Sequence, residues 1–231
     1  MKRFVPLGLA VAIVLTAIAV GSPAEVDAQG AGLVSSILNR MERNHRDLKS
    51  LRAGISMEKY DAAIKDSDKY TGTVLYVPAT GRNAFVRVDW QKPQHEILSV
   101  ANGQYTLFRP RLNMAWVGNA NSKRARANGA LDFLSMSRQQ LMSSYDFQDS
   151  YDETLWGGVQ TNHLKLVPKV NAPFKYAEVW VDQGGMPVQT KVVEKNDDST
   201  TVRLLNMQKN ASISLDEFNI KLDSNVKKVR G

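Results

Sequence analysis

No cysteine occurs in the 231 residues. One absence therefore excludes a disulfide framework, a thiol nucleophile, cysteine-ligated zinc and the lipid-accepting cysteine of a lipoprotein. Histidine is nearly as scarce. His45, His95 and His163 are the three present, none has a second ligand beside it at metal spacing, and no His-Glu-x-x-His occurs. Nucleophile elbows of the Gly-x-Ser-x-Gly type and phosphate loops of the Gly-x-x-x-x-Gly-Lys type are also missing. Asp66-Ser67-Asp68 opens like a calcium loop, but Tyr70 and Thr71 stand where an acid and a glycine are required. Asp149 and Asp152 come nearest to an acid–base pair, with nothing in the sequence to give them a cleft. The expectation is a protein without metal or cofactor that is not an enzyme.

What is present begins with an export address. Lys2 and Arg3 are followed by seventeen uncharged residues, Phe4 to Val20, and by small-residue exits ending at Ala24 and Ala28. This is the layout of a secretory signal peptide. The expected leader is residues 1–28, with 24 as the alternative end, and the expected mature product is a single domain over 29–231 outside the cytoplasm. Losing two positive and two negative residues with that leader leaves the net charge at +7. Export makes nucleic acid an unsuitable partner for that charge. Most of it reads as solubility, although the Lys123-Arg124-Ala125-Arg126 cluster could meet lipid headgroups or an acidic partner.

The period of the apolar residues then divides the chain. Leu33, Val34, Ile37, Leu38, Met41 and Leu48 make one stripe of a helix over Ala31 to Ser50. Alternation predicts strands over Leu51–Asp61, Tyr70–Val77, Ala84–Trp90, Glu96–Ala101, Gln104–Phe108 and Asn113–Val117, with a tight hairpin at Asn102-Gly103. A second helix is expected over Ala130–Tyr145, carrying Leu131, Leu134, Leu141 and Met142 on its stripe. Further strands are expected over Val159–Val167, Tyr176–Asp182, Pro187–Glu194, Thr200–Met207 and Phe218–Leu222. Helices do not alternate with strands, so a parallel α/β sheet is excluded. The pattern fits a large, strongly curved antiparallel meander with helices over one face. Large apolar groups are in surplus, including Met41, Met57, Met136 and Met142 on faces expected to point inward. Such faces either fill a core or leave room for an apolar guest.

Several segments resemble one family. Arg82-Asn83-Ala84-Phe85-Val86-Arg87-Val88-Asp89-Trp90, with Pro93 beyond it, is similar to the R-P-x-x-F-x-W-x-x-x-x-P stretch of outer-membrane lipoprotein carriers, the LolA-like proteins. Asn102-Gly103 leading to Arg109-Pro110 resembles that family's next hairpin, and Trp180-Val181-Asp182 with Gly185-Met186-Pro187 a later one. The resemblance runs from about Leu33 to Leu222. It implies a mainly β (α+β) fold, an incomplete, strongly curved antiparallel β-barrel with a helical lid over a hydrophobic cavity. It also implies a carrier that takes acylated lipoproteins from an inner-membrane transporter to an outer-membrane receptor.

Arg82 would be the residue that holds the mouth shut and governs handover, on the family match alone. Trp90, Leu98, Met136 and Leu141 are expected to line the cavity. If Leu141 faces a partly empty cavity, its truncation should cost about 1 kcal/mol or less, below the usual core range. A monomer is expected. Two alternatives stay open at this point. One is a carrier of another amphiphile, such as a glycolipid or hopanoid. The other is a lipid-sensing regulatory module, although the known regulator of this kind has a second domain for which this chain leaves no room.

Overall fold

The computed structural model describes residues 24–78, 84–120, 133 and 136–231. A long helix α1 (Ala24–Asp47) precedes six strands: β1 (Leu51–Asp61), β2 (Asp66–Val77), β3 (Phe85–Lys92), β4 (Glu96–Ala101), β5 (Gln104–Arg109) and β6 (Met114–Asn119). A short helix α2 (Arg138–Ser144) leads into β7 (Tyr145–Leu155), β8 (Val159–Pro168), β9 (Phe174–Asp182), β10 (Pro187–Glu194) and β11 (Ser199–Lys209). A 3-10 turn at Leu215–Phe218 precedes β12 (Lys227–Arg230).

All twelve strands join one sheet in the order β12-β6-β5-β4-β3-β2-β1-β11-β10-β9-β8-β7. Every pairing is antiparallel except β12 on β6, which is parallel. The sheet is open, curved and not closed into a barrel. This is the expected mainly β class.

Register decides which side chains share a face, because residues directly opposite one another project together. One row runs Leu164, Val179, Thr190, Val202, Met57, Tyr70. Another on the same face runs Ala53, Val74, Val88, Leu98, Leu107, Trp116. Ile37, Leu38 and Met41 of α1 pack on Leu164, Leu166, Val179 and Val181, so this is the helix-bearing face. A second apolar cluster, Leu51, Ile55, Met57, Val74, Val88 and Trp90 among its members, continues that face beyond the helix.

The opposite face of β1–β4 is covered by the 3-10 turn. Phe218 is buried against Phe85 at 5.6 Å between rings, and Arg52 meets Glu217 at 2.9 Å. Arg87 donates to the Glu217 carbonyl at 2.6 Å.

The structure departs from the sequence-based elements in several places, among them α1, which begins at Ala24 rather than Ala31, and β2, which begins at Asp66 rather than Tyr70. The helix expected over Ala130–Tyr145 is helical over Arg138–Ser144, because Ser137 and Gln140 form a capping box that starts it there. Residues 121–132, 134 and 135 of that region, with the basic cluster, lie outside the described residues. β7 was not expected. It is an edge strand carrying Asp146, Asp149, Asp152 and Glu153, which weakens apolar alternation while guarding the edge against pairing. No strand forms over the expected Phe218–Leu222: Phe218 ends the 3-10 turn, which Ser214 caps together with Glu217, and residues 219–222 follow it without regular structure. The C-terminal run Lys227-Lys228-Val229-Arg230, where no strand was expected, is β12.

α1 is held at its C-terminal half by close packing as well as apolar burial. Gly185, in the β9–β10 turn, has φ +85°, and a Cβ there would stand 2.2 Å from the Arg40 carbonyl oxygen. Asn44 donates to the Met186 sulfur at 3.4 Å and accepts from Lys209 at 3.2 Å. Gly185→Ala is therefore expected to lower stability by more than the roughly 1–2 kcal/mol of left-handed strain alone. Urea unfolding checks this, and an unchanged midpoint would mean that α1 does not lean on this turn.

Candidate functional site: an apolar cleft on the helix-bearing face

Across β1 to β5, part of the helix-bearing face lies beyond α1 and carries large apolar residues. A cleft of about 440 Å³ opens there, lined by Met57, Lys59, Tyr70, Trp90, Leu98 and Leu107, with Glu96 and Arg109 at one side. Its floor is well fixed. Met57, Trp90 and Leu98 are all buried, and the Tyr70 ring meets the Trp90 ring edge-on at 5.9 Å and 65°. Aromatic pairs in this geometry add about 0.5–1.5 kcal/mol beyond their burial.

The rim is charged. Lys59 Nζ lies 5.4 Å from the centre of the Tyr70 ring, and the Arg109 guanidinium 5.3 Å from the Trp116 ring. Arg109 is paired with Glu96 across β4 and β5. The Tyr70 hydroxyl is pushed above its ordinary range, first by burial and then by the Asp68 and Glu96 charges, with Arg109 acting the other way. It stays a neutral donor at physiological pH. An apolar floor under a rim of mixed charge is the chemistry of an amphiphile site, chain below and head above.

A second and larger cavity, about 610 Å³, lies where α1, α2 and β7 meet. Val34, Leu38, Met142 and Phe147 line it, with Arg138 at its edge. Both cavities exceed the roughly 300 Å³ lower bound of small-molecule sites.

The structure brings two of the expected cavity residues together and separates the others. Trp90 and Leu98 line the first cleft. Leu141 is 1 % exposed in the cluster of Ile37, Leu38, Leu164 and Val179, with Met136 packed against that cluster. Met142, one residue on, is 46 % exposed rather than inward, because the short helix turns only Leu141 to the core. Arg82 lies outside the described residues. Lys59, Tyr70, Glu96 and Arg109 were not singled out from the sequence. Their signal was present in the strand alternation, since Tyr70 falls opposite Met57 and Glu96 opposite Trp90.

Residues 79–221 match the family model of the outer membrane lipoprotein carrier protein LolA. The chain belongs to this family. Comparison with curated proteins finds no match. Among solved structures, MucB is similar at 14 % identity and a TM-score of 0.56, over 83 % of this chain and 63 % of MucB. An uncharacterized conserved protein from Thermus thermophilus is similar at 12 % identity and a TM-score of 0.55, over 86 % of this chain and 99 % of that one. The MucA/MucB complex of Pseudomonas aeruginosa gives 14 % identity and a TM-score of 0.50, over 81 % of this chain and 60 % of that one. At these identities the likeness is one of fold, and this chain spans about 60 % of MucB. The expected LolA-like fold, read first from short motifs, is thus the fold of the chain. Among the described residues no helix is long and apolar enough to cross a membrane, and no group of three metal-ligating side chains gathers.

Two variants separate cleft from core. Trp90→Ala should lower affinity for a hydrophobic fluorescent probe several-fold. Leu141→Ala, packed on all sides, should cost about 2–5 kcal/mol of stability and leave probe affinity near the wild-type value. Thermal unfolding and probe titration read the two effects separately. The reverse outcome would exchange the roles of the two clusters.

Tyr76 supplies a pH test of the same face. Burial pushes its hydroxyl up to about 12. Its folded value is above its unfolded value, so this stabilisation is complete below pH 10 and is lost as pH rises from about 10 to 12. Tyr76→Phe should flatten that alkaline loss in a pH series of unfolding midpoints, and an equal slope in both proteins would show that Tyr76 does not carry it.

Proposed function

We propose that the chain is a periplasmic carrier that binds the acyl chains of lipoproteins on the helix-bearing face and ferries them towards the outer membrane. The observation that carries this reading is the cleft walled by Met57, Trp90, Leu98 and Leu107 on a sheet of the LolA family. An acyl chain gains about 0.8 kcal/mol for each CH₂ removed from water, so transit through an aqueous compartment calls for an apolar host. The family resemblance supports an inner-membrane transporter as donor and an outer-membrane receptor as acceptor. The layout of the leader supports its cleavage after Ala28, or after Ala24, and the carrier acts as a monomer. The absence of cysteine fits a carrier that is not itself a lipoprotein.

Mass spectrometry of material co-purifying from the native envelope tests the cargo. Acylated peptide is expected. A glycolipid or hopanoid would move the assignment to a carrier of other amphiphiles. A constant protein partner without lipid would move it to a regulatory module.

Arg82 keeps its proposed role at the mouth. Arg82→Leu should retain cargo and slow its transfer to acceptor membranes, because a more apolar mouth disfavours release. Transfer at the wild-type rate would remove Arg82 from the mechanism.

A further inference from the structure

The hairpin between β7 and β8 ends in the most exposed large apolar side chain among the described residues. Trp156 is 85 % exposed, with Tyr151 at 49 % and Val159 at 38 % on the same hairpin. An isolated exposed apolar residue needs no explanation. This one has three features that such a residue lacks.

The first is that the tip is held. Gly157 and Gly158 adopt φ +87° and +78°, so the turn closes tightly, with Gly158 N–H donating to the Leu155 carbonyl at 3.0 Å. Arg203 donates to the Trp156 carbonyl, and its guanidinium lies 6.0 Å from the indole ring. Trp156 is thus presented by the backbone.

The second is that the tip carries no charge. Thr154-Leu155-Trp156-Gly157-Gly158-Val159-Gln160 contains no ionisable side chain, in a chain that is 23 % charged. The β1–β2 turn, which also exposes a large apolar residue, is different. Ile64 there is 72 % exposed, but it sits between Asp61, Lys65 and Asp66.

The third is that the carboxylates behind the tip are engaged. Glu153 accepts from the Trp180 indole at 2.7 Å, and Asp152 accepts from Asn162. The cation set against the indole is Arg203.

We infer that this hairpin tip is a membrane-surface anchor, with Trp156 entering the interfacial layer of a bilayer and Arg203 meeting lipid phosphate. Trp and Tyr favour that layer because one part of the ring is apolar and another part hydrogen-bonds. A narrow convex tip with one large ring also fits a lipid layer, which closes around it. A stable protein interface needs about 800 Å² from each partner, more than one indole and two half-exposed neighbours supply. The net charge of +7 favours an anionic surface. The inference goes beyond cargo binding, since neither the hairpin tip nor Arg203 lines the cleft.

The test uses the full mature protein and its Trp156→Ser variant with sedimentable vesicles of phosphatidylcholine and phosphatidylglycerol. The substitution removes an exposed side chain, so thermal unfolding and probe uptake in vesicle-free solution should be unchanged. Partition onto vesicles should fall about tenfold, the size of effect given by losing partial burial of one large apolar ring. With brominated phosphatidylcholine in the vesicles, wild-type tryptophan emission should be quenched, while the variant, which keeps Trp90, Trp116 and Trp180, should not be. Equal partition of the two proteins, equal quenching, or no binding of the wild type to these vesicles would each overturn the anchor. Probe uptake in solution reports separately on the cargo reading.

Discussion

Among the described residues, an open sheet of twelve strands presents more apolar face than α1 and α2 cover, and the rest of the architecture follows from that mismatch. α1 seals β8 and β9 through Ile37, Leu38 and Met41. α2 adds one buried leucine. Across β1 to β5 the same face carries Met57, Trp90, Leu98 and Leu107 around an open cleft. Curvature brings these side chains towards each other and hides much of their area from water. It does not fill the space between them, and the cleft is what remains.

The polar side chains are distributed to suit this. Polar contacts under α1, such as Arg40 to Asn162 and Asn162 to Asp152, fix where the helix lies on the sheet. The ion pairs at the cleft sit on its rim, where solvent weakens them and little is lost if they separate. On the outer face the 3-10 turn is tied by Arg52, Arg87 and Ser99. One face of the sheet is therefore closed by hydrogen bonds to a strap, while on the other the cleft is framed by apolar packing and the rim pair of Glu96 and Arg109.

Much of this was legible in the sequence, and the reasons differ by element. Strand β1 was expected with the bounds it has, because Leu51, Ala53, Ile55 and Met57 alternate cleanly and are buried on one side, and β10 because turn residues flank it at both ends. The β4–β5 hairpin followed from Asn102-Gly103, which take φ 51° and 76°. Trp90 and Leu98 were placed in one cleft by alternation on neighbouring strands. β7 was hidden because an edge strand is selected for charge as much as for apolar contact. The start of α2 was missed because Ser137 and Gln140 form a cap whose partners are backbone groups, and apolar periodicity carries no trace of it. Leu141 was expected in the cavity because a stripe shows which face turns inward but not whether the space it faces is full.

The strand order separates two runs of neighbours. From β1 to β6, each strand lies beside the next in sequence, and from β7 to β11 the same is true. The halves meet at β1 and β11, where Leu51 stands opposite Lys209. Each half can assemble from hairpins, but the seam joins residues separated by most of the chain. Closing such a loop carries an entropic cost before any contact across it forms. During synthesis the first half thus emerges with β1 as an unpaired edge, and it waits for β11 before β1 has a second neighbour. The seam inside the finished sheet thus waits for residues 199–209, and only the β12–β6 pairing waits for later ones.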